Sequence, residues 1–264
     1  MSFHDYQHID FARHGRVLVV SLNRPEQRNA VNQRLHTELS RVFLDVAQDE
    51  ESDVIVLTGN GAAFCAGGDI DWMQSAIDKP EDFEITAREA KSIVFSQVDL
   101  EKPLICAVNG HATGLGASLA LLSDIIIASS AAKIGDPHVS VGLVAGDGGA
   151  LIWPQLIGYA KAKRYLLTGE LMTAEKAEQI GLITEVVPKE EVLPTALALA
   201  QQLATGATKA IRWTKVVTNL PLKQILHSYF DAGIAYECMS NRSGDHTEAV
   251  LAFREKRMPR FTGT

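Results

Sequence analysis

Residues 104–122 read LICAVNGHATGLGASLALL, and their order decides the fold class. Leu104 to Val108 is a short apolar run with strand character, Asn109-Gly110 and Gly114 punctuate it, and Ala117 to Leu122 supplies the small residues of a tightly packed helix. Working outward, Val17 to Leu22, Val54 to Leu57 and Ile125 to Ala128 repeat the strand signal, while amphipathic stretches at Gln33 to Ala47 and Asp82 to Val98 intervene. That alternation predicts an α/β protein. Beyond Thr168-Gly169 the chain reads as helical: Thr173 as N-cap before Ala174 to Gln179, then Lys189 to Leu203, Thr208 to Val217, and a longer helix from Leu222. In that last helix Leu222, Ile225, Leu226, Tyr229, Phe230 and Gly233 form an apolar stripe at three-four spacing. No linker or low-complexity segment interrupts the chain, which predicts a core over residues 1–195 and a helical region over 196–264.

The 264 residues, 46% hydrophobic and 22% charged, suit one sizeable core: area scaling gives about 73% of the unfolded surface buried. Cys65, Cys106 and Cys238 offer neither a disulfide set nor a zinc pattern, which points to a reducing compartment and no metal. Met1 to Phe11 lacks the basic start and apolar stretch of a signal peptide, so the expected location is the cytoplasm. No run reaches the ~18 apolar residues of a membrane span. A net charge of −7 argues against nucleic acid or an anionic membrane as partner.

Two glycine turns precede helical stretches: Phe64-Cys65-Ala66-Gly67-Gly68-Asp69-Ile70 and Asn109-Gly110-His111-Ala112-Thr113-Gly114-Leu115-Gly116. Free amides at a helix start attract negative charge, and two such sites suggest one oxyanion hole. Either turn alone also reads as ordinary chain reversal.

These turns, together with Leu22-Asn23-Arg24-Pro25, Asn29-Ala30, Asp124-Ile125, Thr168-Gly169 with Ala174, and Gly181-Leu182, resemble the crotonase (enoyl-CoA hydratase/isomerase) superfamily over nearly the whole chain. The resemblance implies a spiral of ββα units with C-terminal helices that make residues 196–264 a trimerisation region, in a homotrimer or dimer of trimers. It implies an acyl-CoA thioester substrate whose carbonyl oxygen sits between the amides of Gly68 and Leu115, with coenzyme A as part of the substrate and no separate cofactor. Two preorganised donors stabilise an enolate oxygen by roughly 3–4 kcal/mol each. The same resemblance assigns Arg28, Ala66, Asp69 and Ile70 to a coenzyme A groove, with Phe253 and Lys256 reaching it from a neighbouring subunit. For each basic residue the plain alternative is a solvated surface charge.

Hydratases of this family use two glutamates; here those positions read Ser118 and His138, with Asp124 and Pro137 holding the register. Ser118 therefore falls against the substrate without an acid function. His138, with a reference pKa of ~6.5, is the remaining titratable group, and Asp147 nine residues on could fix its tautomer. The plainer readings make His138 a hydrogen-bonded pocket wall and Asp147 a helix N-cap. Glu237 continues the apolar stripe of the last long helix, where a carboxylate needs a reason: an ion pair across a subunit contact, or a partner for His138. One base suits isomerisation or hydrolysis better than hydration. A His, an Asp nine onward and a later helical Glu also resemble the β-diketone hydrolases. A third reading is an acyl-CoA-binding protein without turnover.

Overall fold

A computed structural model describes residues 3–264; Met1 and Ser2, the start of the segment read for a signal peptide, lie outside it. The apolar runs pair as a six-stranded sheet: β1 (Ile9–His14), β2 (Val17–Leu22), β3 (Val54–Gly59), β4 (Leu104–Val108), β6 (Ile125–Ser129) and β9 (Glu185–Val187), adjacent in that order. Only β1 runs antiparallel to its neighbour; the rest are parallel. The parallel strands β3 and β4 are buried throughout, as expected where both faces of a sheet are covered. On one face lie α1 (Gln33–Gln48) and α3 (Phe83–Asp99), whose buried residues join the main core. The other face packs Val17, Val19, Val56 and Ile105 against Val192, Ala196 and Ala200 of α8 (Val192–Ala204).

A second, three-stranded sheet joins β5 (Ala112–Thr113), β7 (Lys133–Gly135) and β8 (Met172–Thr173). It sits between the second glycine turn and the segment carrying His138. Helices α4 (Leu115–Leu121), α5 (Gly149–Ile157), α6 (Tyr159–Thr168) and α7 (Ala174–Gln179) complete this layer, and Thr173 caps α7 by accepting from the Lys176 amide at 3.3 Å. Among the described residues no helix is long and apolar enough to cross a membrane.

The C-terminal part differs in detail from the expected helices. Residue 195 lies inside α8, which packs on the sheet. After it come α9 (Thr208–Asn241) and α10 (Gly244–Arg254). The helices expected at Thr208–Val217 and from Leu222 are one helix of 34 residues with Pro221 inside it. Proline removes one backbone donor, but Lys215 on one side and Leu226 and Phe230 on the other are buried in the same body, and this anchoring keeps the helix continuous. The helix expected from Lys189 begins instead at Val192, after a 3-10 turn.

Candidate active site

The first glycine turn is fixed by a single parallel bridge between Val31 and Gly68. Val31 donates to the Gly67 carbonyl at 2.7 Å and accepts from Asp69 at 2.9 Å, which leaves the Gly68 amide without an acceptor among the described residues. Leu115 opens α4, one residue after Gly114 at φ 55°, and its amide is likewise unpaired. Cys65 and Ala112 bridge the two turns, and Gly116 lets α4 press against Cys65, where a Cβ would come within 2.7 Å of the Cys65 carbonyl oxygen. Gly68 and Leu115 line one enclosed cavity. Unpaired backbone donors on a cavity wall are the kind of group that stabilises a developing negative oxygen.

His138, Asp147 and Glu237 line that same cavity. His138 begins a short 3-10 turn after β7, with its ring gripped at both nitrogens. Nδ1 is bonded to Asp136, a fully buried carboxylate, and Nε2 lies 3.5 Å from Asp147 Oδ2. Burial alone would drive a proton off this imidazole, but the charges of Asp136 and Asp147 and the Asp136 bond outweigh it, and hold its pKa well above the usual histidine value. The two carboxylates thus favour the protonated form of His138 relative to a free imidazole.

Asp147 is raised above the usual carboxylate range by burial, against the opposing pull of His138, the Gly149 amide and the Ser118 hydroxyl. Its position before α5 does not make it the cap, which is Gly148. Glu237 sits on α9, where burial first and the Asp147 charge second push its pKa up to about 8. It makes no ion pair among the described residues, and its Oε2 is buried without a partner. The C-terminal helices thus close the site of their own chain, since Glu237 and Asn241 of α9 and His246 of α10 all line it.

Ser118 departs from its expected place. It is fully buried and donates to Asp147 Oδ1 at 3.3 Å, so it supports the carboxylate from behind and does not line the cavity.

An open groove adjoins the cavity, sharing Gly68, Met73 and His138 with it; Arg28, Ala66, Asp69, Ile70 and Phe253 line it. The Asp69 carboxylate is committed elsewhere: it caps α2 (Ile70–Asp78) and pairs with Arg24 at 3.0 Å. Phe253 of α10, which packs beside α2, lines the groove of its own chain. Lys256 is exposed and lies outside the groove lining.

Sequence reasoning missed Asp136, His36 and His246. The Asp-Pro-His run at 136–138 carries a signal for the first, since a carboxylate two residues from an imidazole can fold back on it. His36 is bonded to Glu89, 53 positions away, and His246 bonds the Val141 carbonyl at 2.6 Å; neither separation leaves a trace in sequence.

The profile of the enoyl-CoA hydratase/isomerase family matches residues 12–264. The 1,2-epoxyphenylacetyl-CoA isomerase of Escherichia coli K12 is 36% identical over 249 residues, covering 94% of this chain and 95% of that protein. A solved enoyl-CoA hydratase/isomerase from Mycobacterium paratuberculosis superposes with a TM-score of 0.90 at 35% identity, over 92% of this chain and 97% of that one. A beta-diketone hydrolase from the cyanobacterium Anabaena sp. PCC 7120, bound to (S)-3-oxocyclohexyl acetic acid, gives 0.84 at 29% identity, over 91% and 96%.

Proposed function

Because this chain belongs to the enoyl-CoA hydratase/isomerase family, we propose that it isomerises an acyl-CoA thioester through an enolate held by the Gly68 and Leu115 amides. The observation that carries the reading is one cavity lined by both residues with unpaired amides and by His138, Asp147 and Glu237, the two carboxyls buried and Asp147 3.5 Å from the imidazole. Isomerisation needs a proton taken from one carbon and returned to another, with no net consumption of water. Asp147 accepts the proton adjacent to the polarised carbonyl, the C–H electron pair moves into the enolate, and the His138 imidazolium donates a proton to the distant carbon as the double bond shifts. Glu237, neutral below about pH 8, adds no charge against the enolate.

Coenzyme A enters as part of the substrate and lies along the groove beside Arg28. The enclosed cavity offers only about 70 Å³, room for a few water-sized groups, so the acyl portion is short or compact. The test is exchange of α-protons of a short acyl-CoA in D2O, followed by NMR. Exchange by the native enzyme and its loss in Asp147→Asn support the reading; no exchange on any acyl-CoA overturns it.

A second reading is favoured by the His138–Asp147 approach and by Glu237 sharing the cavity: hydrolysis of a β-diketone, in which the relay deprotonates water and the amides hold the departing enolate. Release of acid from a cyclic 1,3-diketone without coenzyme A would select it.

A further inference from the structure

A second histidine–carboxylate pair lies outside the relay, with its histidine in the wall of the same cavity. His36 sits on the first turn of α1, buried, with Nδ1 2.6 Å from Glu89 Oε2 on α3. Glu89 is itself fixed at its other oxygen by the Thr37 hydroxyl at 2.8 Å. Burial would raise the Glu89 pKa, but the bonds from His36 and Thr37 overcome it and hold the carboxyl low. An ionised carboxylate only accepts, so Nδ1 carries the hydrogen and the ring orientation is set.

The other nitrogen, Nε2, has no partner among the described residues, and His36 lines the cavity while Glu89 does not. Around it the lining is apolar: Trp72, whose ring centroid is 5.0 Å from that of His36, with Met73, Phe83 and Ala90. The atom is not sealed in the interior, so a ligand can reach it, and a polar group placed on an otherwise apolar stretch of pocket wall selects ligands by its hydrogen bond. His36 and Gly68 line the same cavity. Val31 bridges Gly68, Asn32 caps α1, and His36 follows four residues later, about 6 Å along the helix axis.

We propose that His36 is a specificity-determining residue that hydrogen-bonds an oxygen substituent, hydroxyl or keto, on the acyl chain, so that the preferred substrates are oxygenated short-chain acyl thioesters. Glu89 is its positioning residue. This rests on the acyl-CoA reading above.

Calorimetry with butanoyl-CoA, 3-hydroxybutanoyl-CoA and 3-oxobutanoyl-CoA tests it, and the latter two distinguish the oxygen chemistries. The native protein is expected to bind an oxygenated thioester about tenfold more tightly than butanoyl-CoA. His36→Phe, which keeps an aromatic ring beside Trp72, is expected to abolish the preference, read as the ratio of the oxygenated-thioester Kd to the butanoyl-CoA Kd within that variant, and His36→Gln to restore part of it. Equal binding of all three by the native protein, or a preference that survives in His36→Phe, overturns the inference alone. Failure of every thioester to bind overturns it together with the acyl-CoA reading.

Discussion

His138 Nε2 lies 3.5 Å from Asp147 Oδ2, a separation that pairs their charges but leaves the direct hydrogen bond unclosed. The strong bond of the imidazole is on its other side, to Asp136. Asp147 thus keeps a carboxylate edge toward the cavity while sharing the field of the imidazolium. His138→Ala and Asp147→Asn are each expected to lower kcat by about 10²–10⁴-fold, the usual worth of a positioned acid or base. As the two act on one proton path, the double variant is expected to lose little more than either single one. Steady-state kinetics of the four proteins checks this; additive losses would separate their roles.

Glu237 supplies a pH signature. Its carboxyl is held at about 8, above the ordinary 4.5, so the folded protein retains a proton there at neutral pH. Above about pH 8 the site gains a negative charge beside Asp147, which opposes enolate formation, and kcat is expected to fall along a limb centred there. Glu237→Gln, permanently neutral, is expected to lose that limb and keep activity at pH 7 within a few-fold. Stability has the same sign. A carboxyl raised in the folded state contributes fully below its unfolded pKa, and the contribution fades as pH rises toward 8. Thermal melts of the native protein are therefore expected to decline between about pH 4.5 and 8 more steeply than those of Glu237→Gln.

Much of this architecture is legible in the chain. Strands β2, β3, β4 and β6 are short apolar runs, and α1 and α3 begin and end within a residue or two of where their periodicity places them. Strand β1 escapes notice because only Ile9 of its six residues is buried, and the two- and three-residue strands β5, β7, β8 and β9 because so few residues leave no period to read. The glycine turns announce free amides, yet what orients the relay is not local. Asp136 acts through a chain reversal around Pro137, and Glu237 arrives only because α9 crosses the Gly146 loop, where the Gly146 and Gly233 backbones touch. Protonation states were the least legible feature. The upward shift of His138 depends on the carboxylates of Asp136 and Asp147 converging on one ring, which its reference pKa does not reveal.

Gly149 is the packing counterpart of that convergence. A Cβ built on it would overlap Asp136 Oδ2, so Gly149→Ala must push Asp136 and the His138 ring it holds. Forcing an extra methyl into a packed site costs about 1–3 kcal/mol, and Tm is expected to fall by several degrees, with kcat reduced at least tenfold. Gly158→Ala is the comparison. That glycine also has a positive φ, 75°, but nothing lies within 4 Å of its Cβ position, so the variant is expected to lose stability through backbone strain alone and keep kcat. If both variants retain full kcat, Asp136 is not what orients His138.

Arg28 separates the two readings of the site. It ends a 3-10 turn with φ 52° and lines the groove but not the cavity that holds Asp147 and Glu237, and its exposed guanidinium is available to a phosphate. An exposed charge of this kind contributes about 1 kcal/mol or less, uniformly to substrate and transition state. Arg28→Ala is therefore expected to raise KM for an acyl-CoA several-fold with kcat unchanged, and the difference from the native enzyme is expected to shrink as salt screens the contact. A substrate without coenzyme A would leave the groove empty, and Arg28→Ala would then turn it over like the native enzyme. Kinetics of this one variant on a short acyl-CoA and on a cyclic 1,3-diketone, at low and high ionic strength, shows whether the groove takes part in binding.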